Sequence, residues 1–134
     1  MNQCSGHIRY LIAIKELMET NDTIKCVHIS RHLGVSRPSV SKMLRCLAAS
    51  ELVYEDFCNG VKLTPEGKKA VSEISDVFGE VYLFFRKFLK LSHEEAHKSA
   101  VTFLTEYPLE TCKRLKGIVS RTINKRSSAN ASNT

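Results

Sequence analysis

Lys25, Arg31, Arg37, Lys42 and Arg45 lie in a stretch, residues 25–50, that contains no aspartate or glutamate. Short hydroxyl side chains at Ser36, Ser39 and Ser41 are interleaved with them. Cations with no carboxylate nearby to neutralise them suit phosphate oxygens, and arginine and serine can also reach base edges. The spacing narrows the target. The residues fall on two short amphipathic segments joined by Gly34-Val35-Ser36, basic outside and apolar inside. A helix-turn-helix needs such a pair, one helix to pack and one to lie against a polyanion. The expected ligand is double-stranded DNA.

A second cluster suggests different chemistry. His93-Glu94-Glu95-Ala96-His97 matches H-E-x-x-H, which on a helix sets two imidazoles on one face for zinc with a glutamate as general base. A third ligand would have to come from Glu106, Glu110 or Cys112. The same residues also read as a capping box, Ser92-His93-Glu94-Glu95, which gives Ser92 and Glu95 work at a helix start. Solvated surface histidines are the default reading, with an incidental surface metal site as the alternative. A metallopeptidase is disfavoured.

The elements that position these residues can be read from periodicity and cap chemistry. Residues 7–20 form a first helix with Tyr10, Leu11, Ile14, Leu17 and Met18 at helical spacing. A short helix over 27–33 buries Ile29 and Leu33, and Gly34 supplies the positive φ of the turn. Ser36 caps the next helix, Pro38 falls in its first turn, and the helix runs to 49. It buries Val40, Met43 or Leu44, and Leu47. Strands at 52–55 and 61–63 flank Asn59-Gly60, a hairpin signal. Thr64 and Pro65 then open a long helix to 91. Along it Ala70, Ile74, Val77, Val81, Phe84, Phe88 and Leu91 form a heptad seam, expected to serve a symmetric dimer through Val77, Val81, Phe84 and Phe88. A further helix to 107 turns Ala96, Ala100, Phe103 and Leu104 inward, and a last one, from 108, uses Leu109, Leu115, Ile118 and Val119.

The fold class is therefore mainly α. An N-terminal winged helix-turn-helix with a small β-hairpin wing spans 1–70, an all-α dimerisation domain spans 71–126, and a disordered polar tail spans 127–134. Arg37, Ser39 and Lys42 sit where base edges come within reach, while Lys25 and Arg45 meet phosphate. The wing at Asn59-Gly60 follows the backbone or minor groove, with Lys62 on phosphate and Lys68 and Lys69 adding to the same face.

Charge supports a local footprint. The net charge is +6, but all of it is matched by six cations after Cys112 with no acid among them, so residues 1–112 are balanced overall. A local basic patch within a balanced domain points to DNA more specifically than global basicity does. No apolar run approaches the roughly 20 residues that span a bilayer, and the N-terminus lacks a signal pattern, so a cytoplasmic location and no membrane partner are expected. The cysteines, Cys4, Cys26, Cys46, Cys58 and Cys112, are odd in number and lack a C-x-x-C pair, which reads as reduced thiols.

The pattern resembles the metal-dependent repressors typified by the diphtheria toxin repressor and the manganese transport regulator. The matching residues run from Ile29-Ser30-Arg31-His32-Leu33-Gly34-Val35-Ser36 through Arg37-Pro38-Ser39-Val40-Ser41-Lys42-Met43-Leu44. Leu52-Val53-Tyr54-Glu55 and Leu63-Thr64-Pro65-Glu66-Gly67-Lys68-Lys69-Ala70 come next. Phe84-Phe85, Leu91-Ser92-His93-Glu94-Glu95-Ala96 and Leu109-Glu110-Thr111 fall in the family's order. The resemblance implies the short, manganese-regulator form without an SH3-like domain, acting as a homodimer on a palindromic operator. It also implies manganese or iron, held by acids of the first helix, a histidine of the long helix and an E-x-x-E-H run. Those places fall here at Arg9, Ile12, Phe78, Ser99, Leu104 and Thr105, with no carboxylate or imidazole among them, and E-x-x-E-H occurs nowhere in the chain. Hard divalent ions need oxygen ligands, with imidazole tolerated, so no metal cofactor is expected at the family site.

The first reading is thus a DNA-binding transcriptional regulator, a repressor rather than an enzyme, independent of metal at that site. Two alternatives stay open: the same regulator with another metal or thiol input, built from Cys4, His7, His93 or His97, and a winged helix used as a protein-interaction module.

Overall fold

The apolar spacing of the first half folds as three helices, α1 (His7–Met18), α2 (Cys26–Leu33) and α3 (Arg37–Ala49). They are followed by α4 (Pro65–Leu83), a π-helical turn (Phe84–Phe88), α5 (His93–Glu106) and α6 (Leu109–Ser132). The computed structural model describes residues 6–132, with side chains to residue 126. Two compact units divide within α4, between Ile74 and Ser75. No helix among the described residues is long and apolar enough to cross a membrane.

In the first unit α1 is buried on several sides. Tyr10, Leu11, Ile12, Ala13 and Ile14 are all buried in succession, which marks a central rather than a peripheral helix. The expected inward pair Leu17 and Met18 is displaced: Leu17 is half-buried and Met18 is 50% exposed, because the last turn of α1 runs out beyond the core. Asn21 Nδ2 donates to the Leu17 carbonyl at 3.0 Å and closes that end. Ile29, Val40, Leu44 and Leu47 are fully buried, each contributing about 1.5–3 kcal/mol. Leu44, not Met43, is the inward residue of its pair.

The expected β-hairpin wing is not shown. Pairing at the wing is limited to two isolated antiparallel bridges, Val53 with Leu63 and Ile24 with Val61, and no strand forms among the described residues. The Val61 N–H donates to the Ile24 carbonyl at 2.7 Å, so the second segment divides its pairing between two partners. Asn59-Gly60 does not make the expected tight turn either. Only Gly60, at φ +141°, has a positive φ there, whereas the favoured hairpin turn of an Asn-Gly pair requires positive φ at both residues. Thr64 anchors the exit by donating to the Glu51 carbonyl at 2.5 Å and capping the Gly67 N–H at 3.0 Å. A Cβ at Gly67 would collide with the Leu52 carbonyl, so the start of α4 lies hard against this segment.

In the second unit the long helix departs from the expected continuous heptad. After Leu83 it widens into one π-turn, with the Leu89 N–H bonded to the Phe84 carbonyl at 3.2 Å. The extra residue rotates the end of the helix off the seam. Lys90, at φ +60°, then ends the helix. Val77 and Val81, expected at a dimer surface, are 2% and 0% exposed within the chain itself and have nothing left to bury against another copy. Phe84 and Phe88 are half-buried, joined edge-on at 5.8 Å. Ser92 and Glu95 form the capping box of α5, which buries Ala96, Ala100 and Leu104 and leaves Phe103 half-exposed. On α6, Cys112 and Val119 are buried while Ile118, expected inward, is 52% exposed. The helix continues to Ser132, into the stretch whose composition suggests a disordered tail. Once nucleated, a helix propagates readily through alanines such as Ala129 and Ala131.

One buried group is unbalanced. His7 is 2% exposed, and neither ring nitrogen has a hydrogen-bond partner among the described residues. Burial holds its pKa below the ordinary histidine value. The unfolded chain therefore takes up the proton first, so this stability is fully present above the unfolded value of about 6.5 and is lost as pH falls toward the folded one. In thermal melts from pH 8 to pH 5, His7→Leu should show a shallower loss of Tm below about pH 6.5 than the parent protein. Equal slopes would show that His7 does not contribute to the acid sensitivity.

Candidate nucleic-acid interface

The turn between α2 and α3 is built from a left-handed glycine and local hydrogen bonds of Ser30, Val35 and Ser36. Gly34 closes α2 at φ 67°, ψ 36°, a left-handed conformation that costs a glycine little. The Val35 N–H donates to the Ser30 carbonyl at 3.1 Å, and Ser30 Oγ donates to the Val35 carbonyl at 2.6 Å. Ser36 Oγ accepts the Ser39 N–H at 3.3 Å and caps α3. Two contacts tie α2 to α1: His32 Nε2 with Glu16 Oε1 at 2.9 Å, and Arg9 Nη2 with the Leu33 carbonyl at 3.5 Å.

This geometry fixes which side of α3 faces outward. At about 100° per residue, Val40, Leu44 and Leu47 occupy an arc of about 60°. Lys42 and Arg45 fall on the opposite arc; Arg37 lies only about 20° past Leu44 on the wheel but is the first residue of the helix, and all three are exposed. Ser39 is exposed and Ser41 half-buried at the two edges. Lys25 and Arg31 are exposed as well, and among the described residues none of these five cations is ion-paired with a carboxylate. Ser36 and Ser39 spend part of their capacity on each other, with their hydroxyls 2.8 Å apart. The result is a cationic helix face whose charge is not consumed internally.

The other expected contacts are placed more loosely. Lys62 and Lys68 are exposed and share a groove of about 470 Å³ with Tyr54 and Met18. Asp22 lines the same groove and offsets part of their charge. Asn59 is exposed, but its amide bonds to Asp56 Oδ2 at 3.4 Å and holds the loop together. Sequence reasoning passed over Tyr54, 52% exposed in that groove; its aromatic type in a short strand reads as packing.

The places where the resembled family carries metal ligands hold other chemistry. Arg9 points a guanidinium at a carbonyl, Ile12 is buried at 6% exposure, and Leu104 is fully buried. Phe78 packs edge-on against His97 at 5.3 Å, Ser99 is half-buried, and the Thr105 hydroxyl is committed to the Val101 carbonyl at 2.8 Å. None of the six carries a carboxylate or an imidazole. In the H-E-x-x-H segment, Tyr82 Oη and His93 Nδ1 are 2.7 Å apart, and the two imidazoles lie 6.4 Å apart by ring centroid. Among the suggested third ligands, Glu110 pairs with Lys113 at 3.2 Å. The Cys112 thiol is pushed up by burial, which disfavours the thiolate a metal needs. Among the described residues, no three His, Cys, Asp or Glu side chains gather closely enough to hold an ion. Cys58 is exposed and Cys26 and Cys46 half-buried, while Cys4 lies outside the described residues.

Comparison with known proteins agrees with the geometry of the first unit. Residues 8–56 match the family model described as iron dependent repressor, N-terminal DNA binding domain. The transcriptional regulators MntR of Salmonella typhimurium and of Escherichia coli O6:H1 are each 38% identical over 64 residues. The match covers 48% of this chain and 41% of each relative, so less than half of their length is represented. Among solved structures, the manganese regulator SloR aligns with a TM-score of 0.71 at 26% identity, over 85% of this chain and 53% of that one. ScaR with bound Zn2+ aligns at 0.65 and 27% identity over the same shares. The metal-dependent regulator MtsR aligns at 0.72 with 22% identity, a likeness of fold.

We propose that Arg37, exposed at the first turn of α3, reads a base. Arg37→Ala is expected to weaken binding to a preferred duplex by about 1–3 kcal/mol and to relax base preference at one position. Fluorescence anisotropy on matched and mismatched duplexes would check this. An equal loss on every sequence would assign Arg37 to phosphate instead.

Proposed function

We propose that the chain is a sequence-specific transcriptional repressor of the metal-dependent repressor type, a reading supported by the match of residues 8–56 to the iron dependent repressor DNA-binding domain. Its ligand is a double-stranded operator, its working form a homodimer on a palindromic site, and its compartment the cytoplasm. Members of this family are transcriptional regulators, not enzymes. The single observation that carries the reading is the exposed cationic face of α3, backed by a fully buried apolar stripe on the same helix.

The mechanism follows from that face. Cations meeting phosphates release condensed counterions, which supplies affinity without regard to sequence. With the N-terminal turn of α3 in the major groove, Arg37, Ser39 and Lys42 supply discrimination through base edges. Lys25, Arg45 and Lys62 set register on the backbone.

In this reading the metal input of the family is absent. An apolar side chain at full burial, such as Leu104, offers no lone pair, and Arg9 repels a divalent cation. The dimer is then competent for DNA without manganese or iron. Selection of bound duplexes from a random pool, with and without Mn2+ or Fe2+, should return the same two-fold symmetric site in both arms. Thermal melts should show no metal-dependent rise in Tm. A rise that saturates with added metal, as binding linkage requires, would overturn the metal-independent part. Failure to enrich any sequence would overturn the repressor itself.

A further inference from the structure

The six cations that follow Cys112 all lie on α6. The inward side of that helix is pinned to its own unit. Cys112 and Val119 are fully buried, Ser120 Oγ donates to Glu80 Oε1 at 2.5 Å, and the Arg126 guanidinium lies over the Phe88 ring at 5.2 Å. At about 100° per residue, Arg114, Ile118, Arg121 and Lys125 then fall within an arc of about 60° on the opposite side. All four are exposed, Ile118 at 52%. Glu110, the one acid of α6, pairs with Lys113 at 3.2 Å. Among the described residues, Arg114, Arg121 and Lys125 have no ion pair. A Cβ at Gly117 would stand 3.3 Å from Arg121 Nη1, so the guanidinium folds back along the helix toward Arg114. Cations gathered in this way, with no carboxylate between them, suit an anionic partner.

We propose that this stripe is a second duplex-binding surface, engaging phosphates of DNA outside the bases read by α3 and without regard to sequence. The proposal rests on the operator-binding reading, which supplies the first contact. Arg114 to Lys125 span about 16 Å of helix axis. A duplex of that length carries about ten phosphate charges, so three unpaired cations meet a continuous anionic surface. Base reading by a helix-turn-helix uses the start of a helix, whereas this stripe runs along the middle of a 24-residue one, which suits backbone contact. A lipid surface suits it less. Interfacial helices sink an apolar face into acyl chains, and among the described side chains the large apolar residues of α6 are buried or half-buried apart from Ile118. Because both surfaces belong to one chain, binding at one raises the effective concentration of the other on a long polyanion.

The test compares the full parent chain with R114Q/R121Q/K125Q on two duplexes. One is the selected operator trimmed to its minimal length; the other is that operator extended by about two helical turns on each side. Affinity is read by fluorescence anisotropy across a salt series, with thermal melts to verify folding. For the parent, the extended duplex should give a log–log slope steeper by about 2.7 per bound chain, three phosphates at about 0.9 each. The triple variant should lose that difference and keep the parent's slope on the minimal operator. A control, K87Q/K90Q/K98Q, removes three exposed cations of the same unit that lie off the stripe and should behave like the parent. An equal loss in the control would reduce the effect to net charge and overturn the stripe. Equal parent slopes on the two duplexes would overturn it as well. Parent binding to phosphatidylglycerol–phosphatidylcholine vesicles that exceeds binding to the extended duplex, and that the triple variant loses, would assign the stripe to a membrane instead. A parent that ignores the minimal operator yet binds the extended duplex through the stripe would overturn the operator reading and leave this surface standing.

Discussion

The structure of the DNA-binding unit depends on how the backbone turns between α2 and α3. Three features do this. Gly34 adopts a left-handed conformation, the Ser30–Val35 pair closes the loop with two hydrogen bonds, and Ser36 caps α3. Because these local bonds hold the turn, the rotation of α3 about its own axis is set. Val40, Leu44 and Leu47 must then enter the core, and Lys42 and Arg45 must leave it, while Arg37 is exposed at the first turn of the helix. Packing and charge presentation are consequences of one local constraint.

That coupling explains why a small change at the turn would cost both stability and function. A side chain with a Cβ at Gly34 meets no neighbour, yet it would sit at a φ that L-residues adopt only with strain of about 1–2 kcal/mol. Relief of that strain would reorient α3 and unseat residues that are now fully buried. The surrounding ties, His32 to Glu16 and Arg9 to the Leu33 carbonyl, hold α2 on α1 and so carry the same orientation one element further.

Much of this was legible in the sequence, and the physical reason is cap chemistry. Ser36, Thr64 and Ser92 announce helix starts because each can satisfy an otherwise unpaired N–H, and all three do so here. The cationic face was legible too, since period and charge coincide on a single helix. The wing was not. Asn59-Gly60 signals a turn, but the signal cannot show that Ile24, far away in the chain, takes the Val61 N–H. Nor can a heptad seam reveal whether its partner is another copy or the same chain, and Val77 and Val81 went to the latter. The π-turn at Phe84–Phe88 left no compositional mark. At the candidate site, exposure and pairing decided what residue type could not: Asn59 is held by Asp56, and Lys62 and Lys68 share their groove with Asp22.

The central claim is that the outward face of α3 and its flanks meet a polyanion through several simultaneous phosphate contacts. The most direct measurement is the affinity of the intact chain for its selected duplex as a function of salt concentration. Three phosphate contacts for each bound chain, from Lys25, Arg45 and Lys62, give a log–log slope of about −2.7 per chain, at about −0.9 for each phosphate neutralised. A slope near zero, with affinity retained, would show that the face does not engage the duplex backbone and would contradict the account.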